Sequence, residues 1–289
     1  MKVINSKKYI NLDYSAKIPK EYHEIKSKLK HFPCGEFEFS LDEEVFGEVV
    51  TIFQSFKVGK FNDDLVKLQI VCDALNRNNV KKIIYFAPFL PYTRQDKIDN
   101  KKSSFGLKLL AQIINQSGIN EVITYDLHSL HIEGFLTAKL QNLSMMPKFI
   151  THIKQSYKPR EVVIVFPDEG SNLRFKRFFE NEDFEIVIVS KNRTDDGLQM
   201  EIPKIFDKLK NKKAIIIDDI IDSGKTLIEA SKILKKNGVC DINVYAVHGV
   251  FSDNAIEKLK NSDILKTTVS NSIFSDISDK IEVIGLDTL

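Results

Sequence analysis

The sequence predicts an α/β fold in two halves, each a mostly parallel sheet flanked by helices. Three observations predict it: short β-branched runs recur along the chain, helical stripes separate them, and each half carries a strand running directly into an Asp-containing loop. The runs are Val49–Phe53, Lys82–Ala87, Glu121–Tyr125, Val162–Phe166, Phe184–Val189, Ala214–Ile217 and Val244–Val247. Unbroken apolar runs of this kind suit strands buried on both faces. Among the helices, Leu107, Leu110, Ala111 and Ile114 share one face, and Gly118 is the stop. Leu65, Leu68, Cys72 and Leu75 form a second stripe, and Leu227, Ala230 and Leu234 a third, closed by Gly238. These stripes are read as core and nothing more. Thr137–Tyr157 has a mostly helical pattern and separates Tyr125-Asp126-Leu127-His128 from Phe166-Pro167-Asp168-Glu169. The boundary is placed near residue 143, giving domains 1–143 and 144–289.

Composition narrows the function. Of 289 residues, 42 are Lys or Arg and 40 are Asp or Glu, a formal charge of +2 that gives no strong field for nucleic acid or an anionic membrane. Hydrophobic residues make up 43% and charged residues 28%, enough to bury a real core. No apolar run approaches the roughly 20 residues of a membrane span. Met1-Lys2-Val3-Ile4-Asn5-Ser6 lacks the layout of a secretion signal. Three isolated cysteines, Cys34, Cys72 and Cys240, argue against a disulfide framework. A cytoplasmic enzyme or binding protein is expected.

The strongest local signal is Ala214-Ile215-Ile216-Ile217-Asp218-Asp219-Ile220-Ile221-Asp222-Ser223-Gly224-Lys225-Thr226-Leu227. A buried strand ends in two carboxylates, and a loop of small and hydroxyl residues then opens a helix. Ligands of open α/β sheets sit outside the carboxyl ends of the strands. Backbone N–H groups at a helix N-terminus make an anion site, to which Ser223 and Thr226 can add hydroxyls. Carboxylates repel phosphate, so Asp218 and Asp219 should face ribose hydroxyls or a Mg²⁺ shared with the ligand. Together these features describe a site for a phosphorylated sugar. Gly224-Lys225-Thr226 resembles the end of a nucleotide P-loop, but Asp219 stands where that motif needs its first glycine.

Ile217–Thr226 resembles the phosphoribosyl-diphosphate fingerprint shared by type I phosphoribosyltransferases and ribose-phosphate diphosphokinases. The N-terminal half separates the two. Ala87-Pro88-Phe89-Leu90-Pro91-Tyr92-Thr93-Arg94-Gln95-Asp96-Lys97 is similar to the diphosphokinase ATP segment, and Thr124–His128 with His131–Phe135 is similar to its metal-binding stretch. Asn62–Leu65 and His248–Ser252 match in order. The resemblance runs from about residue 30 to 289. It implies two pseudo-symmetric type I phosphoribosyltransferase-like domains, the first binding ATP and the second ribose phosphate. It further implies that Phe32, Cys34, Glu36, Arg94, Gln95 and His128 stand at ATP positions, and that His128 and Asp168 stand at Mg²⁺ positions. Asp218, Asp219, Asp222, Ser223, Gly224, Lys225 and Thr226 match the ribose-phosphate positions, and Lys191 and Arg193 the cations of the catalytic loop. The implied reaction transfers the β,γ-diphosphate of ATP to ribose 5-phosphate. A homo-oligomer is implied too, at least a dimer and up to a hexamer, in which the turn near Phe32 completes a neighbour's nucleotide site.

Some positions depart from the family pattern. Cys34 replaces an Asp or Asn, and a thiol is a poor substitute as a hydrogen-bonding group. Lys225 replaces a glycine, Glu169-Gly170-Ser171-Asn172 replaces a more glycine-rich basic turn, and Thr194–Lys204 matches poorly. These changes raise a second reading, transfer to a larger acceptor ending in ribose 5-phosphate, such as ADP-ribose. A phosphoribosyltransferase and a non-catalytic regulatory homologue are further alternatives. The first has no need of Arg94, Gln95 and His128; the second has no reason to keep Lys191, Arg193, His128 and Asp168 together.

Overall fold

The computed structural model describes residues 6–14, 16–98, 102–194, 197–201, 209–273 and 280–286, with backbone alone for 190–194 and 197–201. Two compact units divide the chain after Leu143, with Ser272, Ile273 and Leu286 belonging to the first. No helix among the described residues is long and apolar enough to cross a membrane.

The first unit is built on β1 (Lys8–Leu12), β2 (His23–Glu24), β3 (Ser27–His31), β4 (Phe37–Leu41), β5 (Val49–Gln54), β6 (Lys82–Phe86), β7 (Glu121–Tyr125) and β8 (Lys139–Leu143). Six of them form a parallel sheet in the order β2-β1-β5-β6-β7-β8, while β3 and β4 pair as a separate antiparallel ribbon. Helices α1 (Phe61–Arg77) and α2 (Gly106–Gln116) bury the predicted stripes: Leu68, Cys72, Leu75, Leu107, Ala111 and Ile114 are fully enclosed. Gly118 ends its helix at φ +71°. Buried Asp64 joins the β5–α1 loop to its helix, accepting the Lys57 N–H at 3.0 Å and the Lys67 ammonium at 3.1 Å.

The second unit repeats the plan with β9 (Val162–Phe166), β10 (Glu185–Ile188), β11 (Ser190–Thr194), β12 (Gly197–Glu201), β13 (Lys213–Ile221), β14 (Asp241–Gly249), β15 (Ile264–Ser270) and β16 (Ile281–Ile284). Its parallel sheet runs β10-β9-β13-β14-β15-β16, and β11 with β12 forms an antiparallel ribbon. Both sheets therefore follow one rule: second strand at the edge, first beside it, then third to sixth, with a hairpin inserted between the second and third. The expected internal symmetry extends to strand order. Helices α3 (Met146–Ser156), α4 (Glu169–Phe179), α5 (Lys225–Lys236) and α6 (Ala255–Lys260) follow in chain order. Val163, Val165, Ile216, Leu227, Ala230, Leu234 and Val244 share one apolar cluster. Full burial of a side chain of that size is worth about 1.5–3 kcal/mol.

Three expectations need correction. Thr137–Tyr157 is helical only in its second half: Lys139–Leu143 is strand β8, and the helix starts at Met146. The strand carrying the paired acids does not stop at Ile217 but runs to Ile221, so Asp218 and Asp219 lie inside it, with Asp218 in register with Ala246 of β14. Glu169-Gly170-Ser171-Asn172 is not a turn but the first turn of α4.

Candidate active site

In the second unit the strand order reverses between β10-β9 and β13, so the carboxyl ends of β9 and β13 flank a topological switch point, where open α/β sheets bind ligands. Asp168, just past the end of β9, is the N-cap of α4. Its Oδ1 accepts the Ser171 N–H at 2.9 Å, and the Ser171 hydroxyl receives the Asp168 N–H at 3.4 Å, a reciprocal capping box. On β13, Asp219 is 1% exposed and Asp218 8%. Asp218 Oδ1 accepts the Asp219 N–H at 2.9 Å, which locks the two residues to one another. Burial, followed by the charges of Asp219 and Asp168, pushes the Asp218 carboxyl well above its ordinary pKa against the opposing pull of Arg174.

Arg174 is the residue that the sequence reading missed. From α4 its Nη2 reaches Asp219 Oδ1 at 2.7 Å and Asp218 Oδ1 at 3.7 Å. It lies 45 residues from Asp219 in the chain, so no local motif announces the pair. The available clue was an arginine in the helix that follows an acidic strand end.

Beyond β13, Asp222, Ser223 and Gly224 lead into α5. Gly224 is the N-cap at φ +73° and, being glycine, supplies no side-chain cap of its own. A Cβ at Gly224 would meet Leu259 at no closer than 3.5 Å, so backbone conformation, not space, calls for glycine there. The two helix starts thus differ: the N-cap of α4 is a carboxylate that takes the Ser171 N–H, whereas the N-cap of α5 is a glycine in a loop of small residues. The N–H groups of such a helix start are suited to a phosphate. Ser223 and Thr226 are half-buried beside them and Lys225 is exposed. Asp222 is itself anchored, accepting the Ser252 hydroxyl.

In the first unit Arg94 and Gln95 follow β6, and His128 follows β7, its neighbour in the sheet. Tyr125 N–H bonds to Pro88 at 3.1 Å, Leu107 N–H to the Gln95 carbonyl at 3.1 Å, and His131 Nδ1 lies 3.5 Å from Asp96. Arg94 and Gln95 are exposed, and Gln95 packs so closely over Gly106 that a Cβ there would meet its Oε1 at 2.5 Å. His128 is half-buried two residues after Asp126, whose φ is +35°. Phe32, Cys34 and Glu36 are apart from these residues in the chain's order, in the turn joining β3 to β4. Phe32 and Glu36 close it through a 2.9 Å backbone bond, Cys34 is exposed, and the Lys30 ammonium lies 4.4 Å from the Phe32 ring centre. Lys191 and Arg193 fall on β11, opposite Met200 and Leu198; their side chains lie outside the described residues, as do Asp195 and Asp196.

Among the described residues no three His, Cys, Asp or Glu side chains form a metal cage. The carboxylate of Asp168 is a hard oxygen donor of the kind Mg²⁺ takes together with phosphates and water.

A repeated parallel sheet, paired acids on a strand and a helix behind an αL glycine define a protein of doubled type I phosphoribosyltransferase-like architecture. Residues 3–118 match the family described as the N-terminal domain of ribose phosphate pyrophosphokinase, and residues 200–289 match the phosphoribosyl synthetase-associated domain. A ribose-phosphate pyrophosphokinase from Granulibacter bethesdensis is 33% identical over 250 residues, covering 86% of this chain and 80% of the relative. Another from Thermosipho africanus is 35% identical over 260 residues, covering 89% and 82%. In fold, the chain is similar to the crystal structure of phosphoribosylpyrophosphate synthetase from Mycobacterium smegmatis, with TM-score 0.86, 24% identity and coverage of 97% and 95%. The chain belongs to the ribose-phosphate pyrophosphokinase family.

Proposed function

We propose that this protein is a ribose-phosphate pyrophosphokinase, transferring the β,γ-diphosphate of ATP to ribose 5-phosphate with release of AMP. The observation that carries the reading is the contrast on β13–α5: buried paired carboxylates followed by a helix start whose N-cap is glycine. Carboxylates accept from hydroxyls, and N–H groups at a helix start donate to phosphate; ribose 5-phosphate presents both groups.

In the proposed reaction the anomeric hydroxyl attacks the β-phosphorus of ATP, the bond from that phosphorus to the α-phosphate bridging oxygen breaks, AMP leaves and the hydroxyl proton is lost. Such a transfer asks the protein for alignment and charge neutralisation rather than a covalent intermediate. Asp218 and Asp219 receive the ribose hydroxyls, and residues 222–226 hold the 5-phosphate. Arg94, Gln95 and His128 bind the triphosphate nucleotide, Arg94 by the forked donor geometry that matches phosphate oxygens. Lys191 and Arg193 supply positive charge to the migrating diphosphate. His128 of the first unit and Asp168 of the second would each hold a Mg²⁺, which would supply neutralisation of phosphate charge. The turn carrying Phe32, Cys34 and Glu36 completes the nucleotide site of a neighbouring copy in a dimer or hexamer, and the protein works in the cytoplasm.

AMP release from ATP and Mg²⁺, measured with ribose 5-phosphate, with ADP-ribose and without acceptor, tests the reading. Release dependent on ribose 5-phosphate is expected. Release with ADP-ribose alone would reassign the acceptor, and none with either would leave a non-catalytic homologue.

A further inference from the structure

We propose that Arg174 is a positioning residue for the pentose, fixing the Asp219 carboxylate, and by its longer contact Asp218, in the arrangement that receives two neighbouring sugar hydroxyls. The proposal rests on the reading of this site as the ribose 5-phosphate site.

Arg174 faces both carboxylates: its Nη2 bonds to Asp219 Oδ1 at 2.7 Å and lies 3.7 Å from Asp218 Oδ1, which the Asp219 backbone N–H also holds at 2.9 Å. Two adjacent buried carboxylates repel one another, and Asp168 adds a third negative group. A guanidinium shared between them holds both where a hydroxyl can use them. Without it, mutual repulsion and desolvation favour turning away or taking up a proton, and either alters the acceptor pattern.

A second observation shows that α4 makes room for this contact. Gly170 lies one helical turn before Arg174, and a Cβ at Gly170 would sit 3.1 Å from Arg174 Nη1, tighter than ordinary packing. The capping box at Asp168 sets where α4 begins, and hence where Arg174 points. Cap, glycine and arginine are thus three parts of one device on one helix, aimed at the acids of a neighbouring strand.

The test measures ribose 5-phosphate affinity by calorimetry without ATP, alongside kcat and the KM of each substrate. Arg174→Gln is expected to weaken ribose 5-phosphate binding by about tenfold or more while the KM for ATP stays within about twofold. Arg174→Lys, which keeps the charge, is expected to recover most of that loss. On an Asp219→Asn background Arg174→Gln should cost little more, because the partner through which it acts is already altered. Should Arg174→Gln not fold, Gly170→Ala carries the test: it keeps every charge, crowds the guanidinium and is expected to raise the ribose 5-phosphate Kd about threefold at an unchanged KM for ATP. Wild-type-like pentose binding in Arg174→Gln (in Gly170→Ala, should Arg174→Gln not fold), ATP and pentose constants rising together, or independent addition in the double variant would overturn the role. Failure of the unaltered protein to bind ribose 5-phosphate would instead remove the functional reading, and this proposal with it.

Discussion

Replacing Asp168 by asparagine separates two tasks that one carboxylate performs. Its Oδ1 accepts the Ser171 N–H at 2.9 Å and so caps α4. Asparagine keeps that acceptor and is as good an N-cap as aspartate, so the cap itself changes by only a few tenths of a kcal/mol, roughly. Losing the negative charge at the helix start costs about 0.3–1 kcal/mol. An opposing gain follows from removing one of the charges that disfavour ionised Asp218. The net change in stability is therefore expected within about 1 kcal/mol. Activity should respond very differently, because a neutral amide oxygen is a far weaker Mg²⁺ ligand than a carboxylate. Turnover is expected to fall at least about 100-fold, roughly 2.7 kcal/mol of barrier. Urea unfolding and AMP release at fixed Mg²⁺ measure the two quantities on one preparation. Turnover within threefold of the unaltered protein would refute the metal role of Asp168, and a collapse in stability would refute the capping arithmetic.

Other predictions concern single groups elsewhere. Lys191→Ala should lower turnover by about ten- to a hundredfold with a small change in ATP affinity, and unchanged single-turnover rates would remove it from the chemistry. Asp64→Asn should cost about 2–3 kcal/mol in denaturant unfolding, since half-buried Lys67 then faces an amide instead of the buried carboxylate 3.1 Å away; a loss under 0.5 kcal/mol, roughly, would show that Asp13 takes over the pairing. Glu121 lies on β7 between Lys82 and Lys139; burial opposes its charge, yet hydrogen bonds from Lys82 and Gln141 and the charges of both lysines hold its pKa below the ordinary glutamate value. A lowered folded pKa means stability that is complete above the unfolded value and disappears as pH falls through the folded one. Glu121→Gln should therefore be less stable by about 1–2 kcal/mol near neutrality, a gap that closes in acid; a gap independent of pH would contradict this.

The sequence announces β9 and the core of β13 because Val162–Phe166 and Ala214–Ile217 are apolar on both faces, and α5 because Leu227, Ala230 and Leu234 repeat at helical spacing. It hides the rest of β13, since two carboxylates inside a buried strand violate the usual pattern and read as a strand end. Strand β8, Lys-Leu-Gln-Asn-Leu, spaces its leucines three apart and so reads as helix. The ribbon β3–β4 alternates exposed charges with half-buried residues and has no continuous apolar run. Of the site, the loop 222–226 and the acids are legible because their chemistry is local. Arg174 is not, because its meaning lies in a contact made across 45 residues.

The two hairpins occupy the same slot in the two sheets, after the second strand and before the third, and neither contributes a strand to its sheet. Selection can therefore remodel either hairpin without breaking its sheet: a thiol at residue 34 in the turn of one, lysine and arginine at 191 and 193 on a strand of the other. A duplicated plan with a detachable arm lets one half specialise in a task that its twin never performs, while the scaffold beneath both remains the same.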